Sequence, residues 1–103
     1  MDTKTVTIQI GNSDNKLPQV AWSSFTQKLH KVASVYGTEI HFFGVSAGDA
    51  PWQNCCVVLN VHGRHLDSLR MALKELALAF SQESIAMTLG DTEFVAFEAV
   101  TDA

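Results

Sequence analysis

Hydrophobic periodicity along this chain switches between two and about 3.6 residues in one order: strand, helix, strand, strand, helix, strand. Residues 5–10 alternate, with Val6, Ile8 and Ile10 against Thr5, Thr7 and Gln9, the pattern of a half-buried strand. After Gly11, the run Asn12-Ser13-Asp14-Asn15 is rich in residues that bond their own backbone in turns, and Pro18 has a φ suited to a helix start. Trp22, Phe25, Leu29, Val32 and Tyr36 then recur three and four apart, and Gly37 is placed to end that helix in a left-handed conformation. Residues 38–45 return to period two, with Ile40 and Phe42 on one side and Glu39, His41, Phe43 and Val45 on the other. A loop through Pro51 leads to residues 55–61, whose inward set is Cys55, Val57, Leu59 and Val61. Leu66, Leu69, Leu73, Leu76 and Phe80 form a second helical stripe, broken by Ser81-Gln82-Glu83. Alternation resumes with Ile85, Met87 and Leu89, and Gly90-Asp91 allows either a hairpin or one interrupted edge strand through Phe97.

This βαββαβ order predicts an α+β, ferredoxin-like sandwich: one antiparallel sheet, both helices on one face, right-handed crossovers, and room for an extra C-terminal strand. The expected core brings Trp22, Phe25, Leu29, Leu69, Leu73, Leu76 and Phe80 onto Val6, Ile8, Val57 and Leu59. A chain of 103 residues with 47% hydrophobic content has the size of a single domain, expected over residues 1–103. The three residues after Val100 are expected to fray.

Composition narrows the partners. Seven basic against eleven acidic residues give a formal charge of −4, and only Lys28, His30 and Lys31 cluster, so nucleic acid is not expected. No apolar run approaches the roughly 20 residues of a membrane helix, and the start of the chain reads as strand rather than signal segment; the expected location is cytoplasmic, without membrane contact. Cys55 and Cys56 are strand neighbours on opposite faces, which rules out a disulfide between them and leaves reduced packing residues.

The predicted topology gathers three polar loops at one end of the sheet. They bring Asn12, Ser13, Asp14 and Asn15 toward Asp49, Trp52, Gln53 and Asn54 and toward Gln82, Glu83 and Ser84. An indole beside convergent amides, carboxylates and hydroxyls is the makeup of a pocket for a small polar ligand, whereas turn formation and capping use the same residues. Asp14, Asp49 and Glu83 have the oxygen chemistry of cation ligands without the spacing of a calcium loop, and neither a metal nor a cofactor is expected. His62 and His65 fall at the opposite end in an exposed connection, while His41, with Glu39 two residues earlier, is the candidate general base of an alternative, enzymatic reading. No G-x-S-x-G motif occurs, and neither cysteine has the positive neighbours that activate a thiol.

The sheet face turned away from the helices is expected to carry Thr7, Gln9, His41, Phe43, Val45, Cys56, Val58 and Ala86, a set too apolar for solvent alone. Either a second copy covers it in a homodimer, or Phe94, Val95 and Phe97 fold over part of it; two-fold symmetry is the common outcome. The expected function is therefore a homo-oligomeric binding or assembly module with a ligand site at the loop end. The alternative is a small-molecule enzyme of the dimeric ferredoxin-like kind that uses His41.

The segments Leu17-Pro18-Gln19-Val20-Ala21-Trp22-Ser23-Ser24-Phe25, Asp49-Ala50-Pro51-Trp52-Gln53-Asn54 and Phe80-Ser81-Gln82-Glu83-Ser84-Ile85 resemble those of small bacterial and phage-type ferredoxin-like proteins with no established activity. Pro18 stands where a hydroxyl residue is usual in that pattern. The resemblance implies the fold and the importance of the three loops, and brings no catalytic residue with it.

Overall fold

A computed structural model describes residues 2–12 and 17–97. Its elements run β1 (Thr3–Gly11), α1 (Gln19–Tyr36), β2 (Glu39–Val45), β3 (Asn54–His62), a 3-10 turn (Gly63–His65), α2 (Leu66–Ala79) and β4 (Ala86–Gly90). The four strands form one sheet in the order β2-β3-β1-β4, every pair antiparallel. This is the expected ferredoxin-like α+β sandwich with both helices on one face. No helix among the described residues is long and apolar enough to cross a membrane.

The two central strands supply the floor of the core. Val6 faces Leu59, Ile8 faces Val57 and Ile10 faces Cys55 across the β1–β3 ladder, and all six are buried. Period two puts these side chains on one face because alternate residues of a strand share a side. The helical stripes close over them: Trp22, Phe25, Leu29 and Ala33 from α1 and Leu69, Leu73 and Leu76 from α2 join one cluster with those strand residues. Phe25 is its pivot, stacked on Phe80 at 4.7 Å and meeting Trp22 edge-on at 6.1 Å.

β2 departs from the simple alternation. Its pairing with β3 shifts between Ile40 and Phe42, so His41 is an extra residue opposite no single partner. Such a bulge reverses the parity of everything that follows it. Phe43 now pairs with Val57 and Val45 with Cys55, on the helix side, and Phe43 packs edge-on against His30 of α1 at 4.6 Å. Phe42, paired with Val58, takes the outer face instead. The placement of Phe43 and Val45 on that face is thus corrected.

Two helix ends also differ from the simple reading. Gly37 is extended (φ −84°, ψ 145°) rather than left-handed. A side chain there would put Cβ 2.8 Å from the Ala33 carbonyl oxygen and 2.9 Å from Leu59 Cδ1, so close approach, not handedness, calls for glycine. At the end of α2 it is Ser81 that is left-handed, at φ 56°. Gln82 N–H donates to Ala77 C=O at 2.8 Å and Ser81 N–H to Leu78 C=O at 3.2 Å, the paired bonds of a Schellman ending.

Beyond Gly90 the chain continues past the start of β1 instead of turning back. Lys4 Nζ donates to Asp91 Oδ1 at 3.1 Å, and the Thr5 and Thr92 hydroxyls meet. Residues 91–97 have no ladder partner among the described residues, and Phe94, Val95 and Phe97 are 92%, 86% and 100% exposed. They do not cover the outer face of the sheet.

Candidate functional site

The order of elements brings the β1–α1 loop, the β2–β3 hairpin and the α2–β4 connection to one end of the sheet. At that end the amides of Asn12, Gln19 and Gln53 form a closed network. Asn12 Nδ2 donates to Leu17 C=O and Gln53 Oε1, both at 2.9 Å, while Asn12 Oδ1 accepts from Leu17 N–H at 3.0 Å. Gln53 Nε2 donates to Gln19 Oε1 at 2.7 Å, and Gln19 Nε2 returns a bond to Gln53 Oε1 at 3.0 Å. The backbone joins in through Asn12 N–H to Gln53 C=O at 2.8 Å.

Asn12 and Gln53 are buried, and both amide protons of Asn12 are used. A buried amide with satisfied donors and acceptors is a structural fastener, since breaking any bond exposes an unpaired group to a dry site. Asn12 brackets the loop between β1 and α1 from both sides, and Gln53 ties that loop to the hairpin. The network also serves the helix start, where Pro18 offers no capping side chain but accepts from Trp22 N–H at 2.8 Å.

Among the described residues, the remaining candidates Asp49, Trp52, Asn54, Glu83 and Ser84 are exposed. Trp52 is 67% exposed and so is not a lid on the core. Asn54 is held by its neighbours, its N–H donating to Ser46 Oγ at 2.9 Å and its Nδ2 to Trp52 C=O at 3.2 Å. Asp49 lies exposed in the hairpin turn, where Ala50 N–H donates to Ala47 C=O. A recess of about 330 Å³ is lined by Gln9, Phe42, Ser46, Asn54 and Cys56 among others, without Asp49. Glu83 and Ser84 belong to a different hollow, a groove of about 580 Å³ between α2 and β4. Asp14 lies outside the described residues, as do Ser13 and Asn15.

The catalytic alternative has its own geometry. His41 sits in the bulge on the exposed edge strand β2, and Glu39 is exposed two residues before it. No hydrogen bond joins the two among the described residues, so the imidazole lacks the carboxylate that would orient it. His62 Nδ1 instead accepts from Arg64 N–H at 3.2 Å and caps the 3-10 turn, with the His65 ring centroid 6.1 Å away. No group of three His, Cys, Asp or Glu residues among those described is arranged to hold a metal ion. Cys55 is buried and free, and burial, with Cys56 as a lesser cause, pushes its thiol up to about 11, the wrong direction for a nucleophile.

What sequence reasoning missed is the role of Phe42. Adjacent aromatics at 42 and 43 gave no clue to which one faced outward, and only the bulge decides it. Phe42 is 56% exposed and lies over Gly44, where a Cβ would come within 2.5 Å of its ring. With Val58 and Cys56 it forms an apolar strip on the helix-free face. Compared with known proteins, the chain matches no protein-family model and no curated protein sequence.

Proposed function

We propose that this chain is a small homo-oligomeric binding module whose copies meet through the helix-free face of the sheet and whose loop end takes a small polar ligand. The observation that carries the reading is the strip Phe42–Val58–Cys56, which among the described residues has no helix over it and no cover from residues 91–97. Thr5, Thr7 and Gln9 flank it on β1 and supply a polar surround. An apolar centre with a polar margin is the anatomy of a protein contact, and in a two-fold contact each residue counts twice. Each large apolar side chain buried there contributes about 1.5–3 kcal/mol by area.

Support for the ligand is of a different kind. The amides of Asn12, Gln19 and Gln53 tie the start of α1 and the end of β1 to the hairpin, while Trp52, next to Gln53 in sequence, is exposed with Asp49 and Asn54 close by in the chain. An exposed indole beside a hydrogen-bonded anchor suits recognition of a flat or polar small molecule. The His41 reading has no comparable support, because the bulge leaves the imidazole at an open edge.

Sedimentation velocity at micromolar concentration tests the contact. The wild-type protein should sediment above monomer mass, and Val58→Glu should lose the association made through this face and sediment at lower mass than the wild type with its circular dichroism retained, since an unpaired charge is costly in a dry interface. A wild-type monomer at these concentrations refutes the proposal.

A further inference from the structure

The groove between α2 and β4 and the exposed segment after β4 answer each other in shape, polarity and charge. Leu73 and Ala77 of α2 and Ile85, Met87 and Leu89 line the groove, whose volume is about 580 Å³. β4 lies at the edge of the sheet and pairs only with β1. Its sequence, Ala-Met-Thr-Leu-Gly, has none of the charges, prolines or bulges that protect exposed edges from pairing. The other edge, β2, has the His41 bulge.

The segment that follows supplies the complement. Residues 91–97 carry Phe94, Val95 and Phe97, nearly or fully exposed, together with the acids Asp91 and Glu93 and no base. The groove is lined by Arg70 and Lys74, with Glu83 as its one acid. The segment does not fill the groove of its own molecule: the Lys4–Asp91 ion pair and the Thr5–Thr92 contact direct it past the start of β1, away from the end where Gln82 to Ile85 lie. The resulting molecule is elongated, 56 × 31 × 19 Å, with a radius of gyration of 15.9 Å against about 13 Å for a compact chain of this length.

We propose that a second copy of this chain occupies the groove, each copy laying residues 91–97 along the β4 edge of the other as an added antiparallel strand. Seven residues in extended form span about 23 Å and β4 about 17 Å, so the arm covers the edge. Met87 and Leu89 lie on the helix side, and continued alternation puts Val95 and Phe97 on that side and Phe94 on the other. Antiparallel pairing about a two-fold axis sets like faces together, which carries Val95 and Phe97 into the partner's groove. Glu93 of the arm then approaches Lys74, while Asp91 stays with Lys4 and Arg70 with Asp67.

This contact is separate from the one through the helix-free face, and one experiment distinguishes them. In a Cys56→Ala background, protein carrying Phe97→Cys is mixed with protein carrying Met87→Cys and treated with a short bismaleimide. The expected product is a crosslinked heterodimer, retained when Val58→Glu is added and lost when Val95→Asp is added. In Val58→Glu protein, Val95→Asp/Phe97→Asp should weaken the remaining association at least about a hundredfold, equivalent to two decades in Kd. Lys74→Glu should weaken it in the same direction. Both arm side chains are exposed in the single copy, so these changes leave folding intact, which circular dichroism verifies. No crosslink between the two proteins, or one indifferent to Val95→Asp, overturns the inference. Loss of the crosslink with Val58-dependent association intact leaves the face contact standing.

Discussion

Gln53 is the residue whose loss should be felt furthest beyond its own volume. Its amide accepts from Asn12 in a buried bond and exchanges two part-buried bonds with Gln19, accepting one and donating the other. Gln53→Ala removes the partner of a buried donor and should lower stability by about 2–3 kcal/mol, whereas Gln19→Ala, at an exposed position, should cost about 1 kcal/mol or less. Urea unfolding of both variants measures the difference, and equal effects would show that the network is not closed to water. The candidate site was therefore legible as a neighbourhood but not as a set of roles. Asn, Gln and Asp runs announce hydrogen bonding in a loop, yet the same residue types serve a fastener and a ligand. Burial decides between them, and burial of Asn12 depends on a hairpin some forty residues away. Cys55 makes a second residue-scale prediction. The folded chain holds its thiol proton up to about pH 11, while the unfolded chain releases it near 9.0. Between those values the folded state binds more protons, so this group makes stability fall as pH rises. Cys55→Ala should flatten that part of the stability profile between pH 9 and 11, and an unchanged slope counts against the assigned cause.

At the scale of elements, the two helices and the central strands were readable because each carries its own period over many residues. The α2 stripe Leu69, Leu73, Leu76 is buried as its spacing requires, and so is the Val6, Ile8, Ile10 set of β1. β2 was misread for an equally physical reason: a single inserted residue changes the face of all later ones, and the sequence around His41 offers hydrophobic side chains to either face. Gly37 presents the same lesson at a helix end. A glycine after a helix suggests a left-handed cap, a conformation that asparagine also adopts. The observed glycine is extended and crowded by the Ala33 carbonyl and Leu59. Both Gly37→Ala and Gly37→Asn should therefore destabilise, by about 1–3 kcal/mol as overpacking does. Tolerance of asparagine in a thermal melt would point back to the left-handed cap. Ser81 gives the converse case, a side chain in a left-handed position that glycine occupies without strain. Ser81→Gly should raise stability by about 0.5–1 kcal/mol, the steric gain being partly offset by glycine's greater chain entropy.

For the molecule as a whole, one cluster of side chains links both helices to the central strands, so the helical layer and the sheet should unfold together. The layer is not uniformly closed, however. Leu69 is fully buried within the cluster, while Leu73 belongs to the same stripe but also lines the open groove beside β4. A cavity left at Leu69 has packed atoms on every side and cannot collapse freely; one left at Leu73 merges with the groove and admits water. Leucine-to-alanine changes in cores cost about 2–5 kcal/mol, according to how far the site relaxes. Leu69→Ala should fall in the upper part of that range and Leu73→Ala in the lower part. Urea titrations in a Trp52→Phe background, followed by Trp22 fluorescence and by far-ultraviolet circular dichroism, measure both costs. The two probes should give one midpoint for each variant, because Trp22 reports the α1 contact and circular dichroism reports all elements. Equal costs at the two positions would mean that the groove side is as tightly enclosed as the centre. That result at high protein concentration only, with the Leu73→Ala cost falling on dilution, is what a groove filled by a second copy requires.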